Sequence, residues 1–254
     1  MKTSRAIVAI LLALALAWAC EDDDPVVPPG EEPPIADSKV IPSFKDNTLF
    51  EELGLCQSCP GTNGVLDSLS NGAGEWVFAG MNNNGDARRA LLAFAIADSL
   101  PSGATIDSVV LTLTMSRSIS GAEPNALHRV LADWGEGPSD ASCCAPEEGT
   151  GGSAMVGDAT WLQRVFRSSG WTTPGGDFAA TASATRSVDG LGAYAWRSAS
   201  MAADVQGWLD SPATNFGWIM IGDESSNTTA KRYDARESTA TRPTLTVYYT
   251  VPAP

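Results

Sequence analysis

Residues 105–116 read TIDSVVLTLTMS, and residues 244–251 read TLTVYYTV. In the first, Leu111, Leu113 and Met115 alternate with Thr112, Thr114 and Ser116; in the second, Leu245, Val247 and Tyr249 alternate with Thr246 and Tyr248. Apolar residues two apart line one face of a pleated strand, so each stretch predicts a strand with one buried and one outward face. Working outward, the same kind of signal recurs at residues 47–51, 76–80, 89–96, 126–132, 216–221 and 229–234, each a short run of β-formers bounded by Gly, Pro, Asn or Asp. Pro101 to Gly103 and the NNNGD run at 82–86 supply turns between them. Helix signals are nearly absent. The exception, MAADVQGWL at 201–209, sets Val205, Trp208 and Leu209 on one helical face and is stopped by Pro212, which predicts a short covering helix. The expected class is all-β, a sandwich or barrel.

The N-terminus sets the compartment. Lys2 and Arg5 precede an apolar run over residues 6–19, shorter than the ~20 residues that span a bilayer, and Ala17 and Ala19 flank the expected cut. Residues 1–19 therefore read as a removed export signal. The stretch AWAC at 17–20 resembles a bacterial lipobox, from which bulky Trp18 departs, and this implies that Cys20 is acylated and anchors the protein to a membrane, on the periplasmic face or the cell surface. Residues 20–36 are rich in Pro and acid with little to bury, which predicts a semi-extended stalk, and residues 37–254 are expected to form a single domain.

The formal charge is −14, and loss of residues 1–19, with Lys2 and Arg5 and no acid, takes it to −16. A phosphate backbone attracts basic stripes, whereas the local basic pairs here, Arg88-Arg89 and Lys231-Arg232, are flanked by acids or apolar residues. Nucleic acid is thereby set aside as a partner. Besides Cys20 there are Cys56, Cys59, Cys143 and Cys144, an even count that reads as disulfides in an exported protein. Pairing between the two pairs avoids a strained vicinal ring and closes a longer loop, so it is favoured over pairing within each. A tetra-thiolate zinc site is the alternative, although Cys143 and Cys144 lack the usual spacer.

Several phrases follow in order: DNTLFE at 46–51, RRALLAF at 88–94, LPSGATI at 100–106, HRV at 128–130, DWGEGPS at 133–139 and GDATW at 157–161. WTTPGGDF at 171–178, DVQGW at 204–208, NFGW at 215–218, RYDARE at 232–237 and RPTLTVY at 242–248 complete the series. Together they resemble the DNRLRE-type domain, also described as a carbohydrate-binding module of the alginate-binding kind and related to the disaggregatase-associated domain. The resemblance spans residues 45–250, and the cysteines and the acidic loop at 140–148 depart from it. It implies a jelly-roll-like antiparallel β-sandwich with the one short covering helix, found on exported bacterial proteins and often beside polysaccharide-active enzymes. The function it implies is non-catalytic binding of an extracellular polysaccharide, an acidic one on the family's account.

His128 is the only histidine, which excludes multi-histidine metal chemistry and leaves any Ser-His-Asp or Cys-His arrangement with this one candidate base, read here as a packed strand residue. Carboxylate pairs, Asp133 with Glu136 or Asp158 with Asp177, remain open for polysaccharide lyase or hydrolase chemistry, against the simpler reading that Asp133 and Asp158 cap turns beside Gly135 and Gly157. No cofactor is required; a structural calcium is compatible with the Asp-rich loops, with no EF-hand-like spacing and no ligand set to assign. Sugar rings stack on flat aromatic faces. Of the seven tryptophans after Trp18, Trp76, Trp208 and Trp218 fit the core periodicity, whereas Trp134, Trp171 and Trp196 fall in Gly-rich loop sequence within or near the long region 133–189, where inserted loops commonly carry function. These three form the expected sugar platform, with Arg167, Arg186 and Arg197 available to an anionic sugar. Around 232–237, Arg236 and Glu237 are expected on opposite faces of a strand, with Arg88 or Arg89 as the cross-strand partner of Glu237. The competing class is a structural or cell-surface assembly protein without a sugar ligand.

Overall fold

A computed structural model of the chain describes residues 34–52, 68–143 and 147–253. The expected export signal, the expected lipidation site Cys20 and most of the expected stalk lie outside these residues, as do Cys56, Cys59, Cys144 and the Cys143 side chain.

In chain order the strands are β1 (Ile35–Phe50), β2 (Leu69–Ser70), β3 (Trp76–Met81) and β4 (Ala87–Phe94), then a single helical turn α1 (Ile96–Ser99), and β5 (Thr105–Ser118) and β6 (Glu123–Arg129). The short strands β7 (Gly152–Ser153), β8 (Gln163–Val165) and β9 (Ser169–Gly170) follow, then β10 (Ala184–Val188) and β11 (Gly192–Trp196). Helix α2 (Ala199–Asp210), β12 (Trp218–Ile221), β13 (Lys231–Asp234) and β14 (Thr244–Val251) complete the series. All pairings are antiparallel.

The expected all-β sandwich is the observed architecture. The long strand β5 organises one sheet. Thr112 pairs with both Thr244 of β14 and Ala195 of β11, and Met115 with both Gly192 of β11 and Tyr233 of β13, so β13 and β14 follow one another along one side of β5 with β11 on the other. In the second sheet, β4 lies between β1 and β12, and β12 hands on to β6 and β10. Two strands cross between sheets: β1 pairs with β14 through residues 35–42 and with β4 through residues 43–50, and β3 pairs with β13 through residues 76–79 before turning into its hairpin with β4. At that crossing Gly80 adopts φ +112°, and a Cβ there would meet Thr229 O and Ala230 Cα at 2.9 Å, which requires glycine on both counts.

The alternation in β5 is realised with one interruption. The β14 register skips Asp107, so Ile106 and Val109, three apart, both face the core, and Leu111, Leu113 and Met115 then follow at period two. With Leu245 and Val247 of β14 they meet Leu92, Phe94, Leu127, Trp218 and Met220 from the facing sheet, forming the main core. Its open side is closed by α2, whose Met201, Val205, Trp208 and Leu209 are buried. Ser198 caps this helix, its Oγ accepting from Met201 N at 3.0 Å. Ser198→Ala is expected to lower stability by about 1 kcal/mol, measurable as a shift of the urea midpoint at unchanged slope.

Strand β4 ends in the apolar run ALLAF at 90–94, which is buried on both faces. Ala90, Leu92 and Phe94 enter the main core, while Leu91 and Ala93 enter a second cluster with Leu49, Val130, Trp134, Ala159, Trp161, Trp171 and Ile219. The long region after β6 is thus a cover over the outer face of the second sheet.

Some elements differ from the sequence reading. Strand β1 starts at Ile35, which pairs with Val251, so Ile35 and Ala36 belong to the sandwich and not to the stalk. The run 89–96 ends as a strand at Phe94 and continues as the turn α1, closed by Leu100 N donating to Ile96 O. Strands β10 and β11 were not foreseen, and Trp196, expected in a loop, sits on β11 opposite Leu111.

Candidate functional site

A cleft of about 420 Å³ opens where the β3–β4 hairpin, the end of β5, strand β13 and residues 147–150 meet. The hairpin tip is fixed by its own amides: Asn82 Oδ1 accepts from the backbone N–H of Asn84 (2.8 Å) and Asp86 (2.9 Å), and Asn82 Nδ2 donates to Asp86 Oδ2 at 2.9 Å. This closed turn presents Asn82, Asn83 and Asn84 along one rim, and Phe78, Ile119 and Thr150 contribute to the lining.

Four cations line the cleft, Arg88, Arg117, Lys231 and Arg232, against one acid, Glu147. Two of the four are occupied internally. Lys231 is fully buried, its Nζ donating to Ser118 Oγ (2.7 Å), Ser120 Oγ (2.9 Å), Ser120 O (3.2 Å) and Gly121 O (2.5 Å), so it staples the turn after β5, and burial lowers its pKa. Arg88, buried over the Phe50 ring, donates from Nη1 to Glu51 O and Ala87 O at 2.9 Å; burial lowers its pKa to about 10, which still leaves it a cation at neutral pH. The other two meet an acid at the open side of the cleft, Arg117 half-exposed and Arg232 largely covered. Arg232 stacks on Trp76, 3.9 Å from guanidinium carbon to ring centroid, and its Nε donates to Ser116 Oγ at 3.1 Å. Its Nη1 reaches Glu147 Oε2 at 2.7 Å, and Arg117 Nη1 is ion-paired with the same oxygen. On a chain of net charge −14, this is a localised positive groove suited to an anion.

Trp76, on which Arg232 stacks, lines a second cavity, of about 510 Å³, with Ala73, Glu75, Asp140, Ser142, Glu148 and Glu237. Behind it lies a half-buried carboxylate network centred on Arg236, which follows β13. Glu136 Oε1 accepts from Asp46 N and Arg236 Nε, both at 2.9 Å, and Arg236 Nη2 meets Glu237 Oε1 at 2.6 Å. Asp46 is fully buried, with Oδ2 accepting from Arg236 N at 2.8 Å and Oδ1 without a partner; Glu237 Oε2 is likewise unpartnered. Burial first, then the charge of Glu237, pushes the Asp46 pKa up to about 8, and burial raises that of Glu237. Glu148 accepts from Trp76 N (3.2 Å), Glu75 N (3.2 Å) and Asn71 Nδ2 (2.7 Å), which ties this network to the start of β3. Among the described residues no group of three or more His, Cys, Asp or Glu side chains is arranged to hold a metal ion.

The structure does not bring the expected sugar platform together. Trp134, Trp171 and Trp196 are 2%, 8% and 1% exposed. Trp134 and Trp171 anchor the covering region onto the second sheet, and Trp196 is packed in the main core against Tyr233. Their indole N–H groups donate to Phe216 O (2.9 Å), Thr160 O (3.0 Å) and Asn125 O (3.0 Å), so both the apolar rings and the polar handles are used inside the fold. A Gly-rich covering segment has few other large side chains to bury, which is why its tryptophans turn inward. The most accessible ring among the described tryptophans is Trp76, expected in the core. Arg167, Arg186 and Arg197 are exposed but sit on separate elements: Arg167 between β8 and β9, Arg186 on β10 over Tyr194, and Arg197 before α2.

The carboxylate pairs resolve as caps and ion pairs. Asp158 accepts from Ser139 N and Met155 N, Asp177 from Thr172 N and Thr173 N, and Asp133 from Trp134 N and Lys45. His128 is packed on β6, with Nδ1 at 2.9 Å from Ala179 O and its ring against Phe178. Arg236 and Glu237 were expected on opposite faces of a strand; β13 ends at Asp234, and in the turn that follows the two pair with each other. Arg89 is instead bound by Glu224, with Nη2 to Oε2 at 2.7 Å. The cleft residues carried one sequence signal: the two basic pairs, 88–89 and 231–232, each contribute to it, a convergence set by strand pairing that spacing alone does not reveal.

No protein-family model matches the chain, and a search of curated proteins finds no match.

Proposed function

We propose that the chain is an exported lipoprotein, anchored through Cys20 and held off the membrane by its Pro-rich stalk, whose sandwich binds an extracellular acidic polysaccharide without catalysis. The observation that carries this reading is the cleft beside Trp76, whose lining combines Arg117 and Arg232 with Asn83 and Asn84 on an otherwise acidic protein. Guanidinium groups bind carboxylates by charge-assisted hydrogen bonds, side-chain amides match sugar hydroxyls, and the Phe78 and Ile119 side chains offer apolar contact to a ring face. The sequence resemblance to DNRLRE-type domains points the same way. Relative to the sequence reading, the ligand site moves from the loop tryptophans to this cleft.

Affinity electrophoresis of the full-length protein in detergent tests the reading, with polygalacturonate, alginate, dextran sulfate and neutral dextran in the gel. Retardation by an acidic polymer, weakened about tenfold or more by Arg117→Ala or by Arg232→Ala with thermal stability preserved, is the expected result. Absence of retardation by every polymer would transfer the weight to the structural or cell-surface assembly reading, which the burial of Trp134, Trp171 and Trp196 favours.

A further inference from the structure

Glu147 has a position that the fold does not require. Its carboxylate is 61% exposed, whereas the Arg232 side chain it meets is 13% exposed and is already fixed by the Trp76 ring and Ser116 Oγ. The built part of this contact is therefore the arginine side. Arg232 Nη1 and Arg117 Nη1 converge on one oxygen, Glu147 Oε2, at the lining of the cleft, next to Phe78, Ile119 and Asn82 to Asn84. Two guanidinium groups aimed at one carboxylate oxygen form a carboxylate subsite, and because Glu147 is the solvent-exposed member of both pairs, an incoming carboxylate with further contacts can take its place.

We propose that Glu147 is an internal surrogate for the ligand: Arg117 and Arg232 form a subsite for the carboxylate of a uronate residue, which Glu147 fills in the free protein and yields on binding. The inference rests on the polysaccharide reading and names the group that the cleft recognises. It makes Glu147 a competitor, so its removal strengthens binding, the opposite of what loss of a direct contact or of a structural brace does. It also confines the gain to ligands that place a planar carboxylate between the two arginines.

The test compares the full-length protein with Glu147→Gln, Glu147→Ala and Glu147→Gln/Arg117→Ala, by affinity electrophoresis and titration calorimetry, using polygalacturonate, dextran sulfate and neutral dextran as probes. Glu147→Gln and Glu147→Ala are expected to tighten polygalacturonate binding about five- to tenfold, with a smaller gain for dextran sulfate, and Arg117→Ala is expected to abolish the gain. Equal or weaker polygalacturonate binding by both Glu147 variants, in a protein whose wild type binds, overturns the surrogate role and leaves the polysaccharide reading standing. An equal gain for dextran sulfate overturns the assignment to a carboxylate. Failure of wild type and variants alike to bind any acidic polymer overturns both the inference and the reading beneath it.

Discussion

Trp134→Ala is expected to destabilise the domain by about 3–5 kcal/mol, enough to unfold a large fraction of a protein of ordinary stability. The ring is almost completely buried among Leu91, Val130 and Ile219, and its N–H satisfies Phe216 O at 2.9 Å. Lys45 closes the arrangement from outside, its Nζ 4.1 Å from the ring centroid and 2.7 Å from Trp134 O. Truncation therefore leaves a cavity, orphans a carbonyl and releases a cation from its aromatic seat. Urea denaturation followed by circular dichroism measures the loss. A sugar-stacking tryptophan would behave otherwise: replacement would leave the urea midpoint in place and remove polysaccharide binding. A variant of unchanged stability would mean that the covering region is not held by this ring.

Asp46→Asn is expected to stabilise the protein at pH 8 by several kcal/mol, at most ~5, with little change near pH 4. The ordinary Asp value is 3.8, and in the fold burial and the neighbouring Glu237 raise it to about 8, the Arg236 N–H opposing them. Between those limits the unfolded chain has released the proton and the folded chain still holds it. The folded state then binds more protons, so stability falls as pH rises through this window and levels off above it, at a rate of at most ~1.4 kcal/mol per pH unit for one group. Asparagine keeps the acceptor for Arg236 N and cannot ionise. Glu237 and Asp158, also raised by burial, tilt the curve in the same direction, so the variant retains a residual slope. Stability curves at pH 4, 6 and 8 for both proteins decide the matter: parallel curves would show that Asp46 does not titrate in this window.

The two predictions separate what the chain announces from what only its fold reveals. Strand β5, strand β14 and helix α2 are legible because each turns a clean periodicity into one buried face, and their bounds differ from the reading by two residues or fewer. Strands β10 and β11 are five residues each within Ser-, Thr- and Gly-rich sequence, and their place is set by β6 and β5 across the sheets, so no local pattern marks them. The tryptophans misled for a related reason. Trp134 and Trp171 lie among loop residues, but the apolar outer face of β4 has to be covered, and the loop supplies the rings that cover it. The cleft was hidden by strand pairing: Lys231↔Ala79 and Gly80↔Arg88 bring Arg88 to the same cleft as Lys231 and Arg232, a separation of 143 residues between Arg88 and Lys231 closed by the crossing of β3 between the sheets. Asp46, Glu136 and Arg236 meet in the same way, although each stands in a phrase visible along the chain.

Hydrogen exchange of the full-length protein with and without saturating polygalacturonate tests the cleft assignment most directly. Slowed exchange at residues 82–84, 117–119, 147–150 and 230–232, with the backbone around Trp134, Trp171 and Trp196 unchanged, is the predicted footprint. Protection centred on those three tryptophans, or a bound polymer that leaves the cleft unprotected, would contradict it.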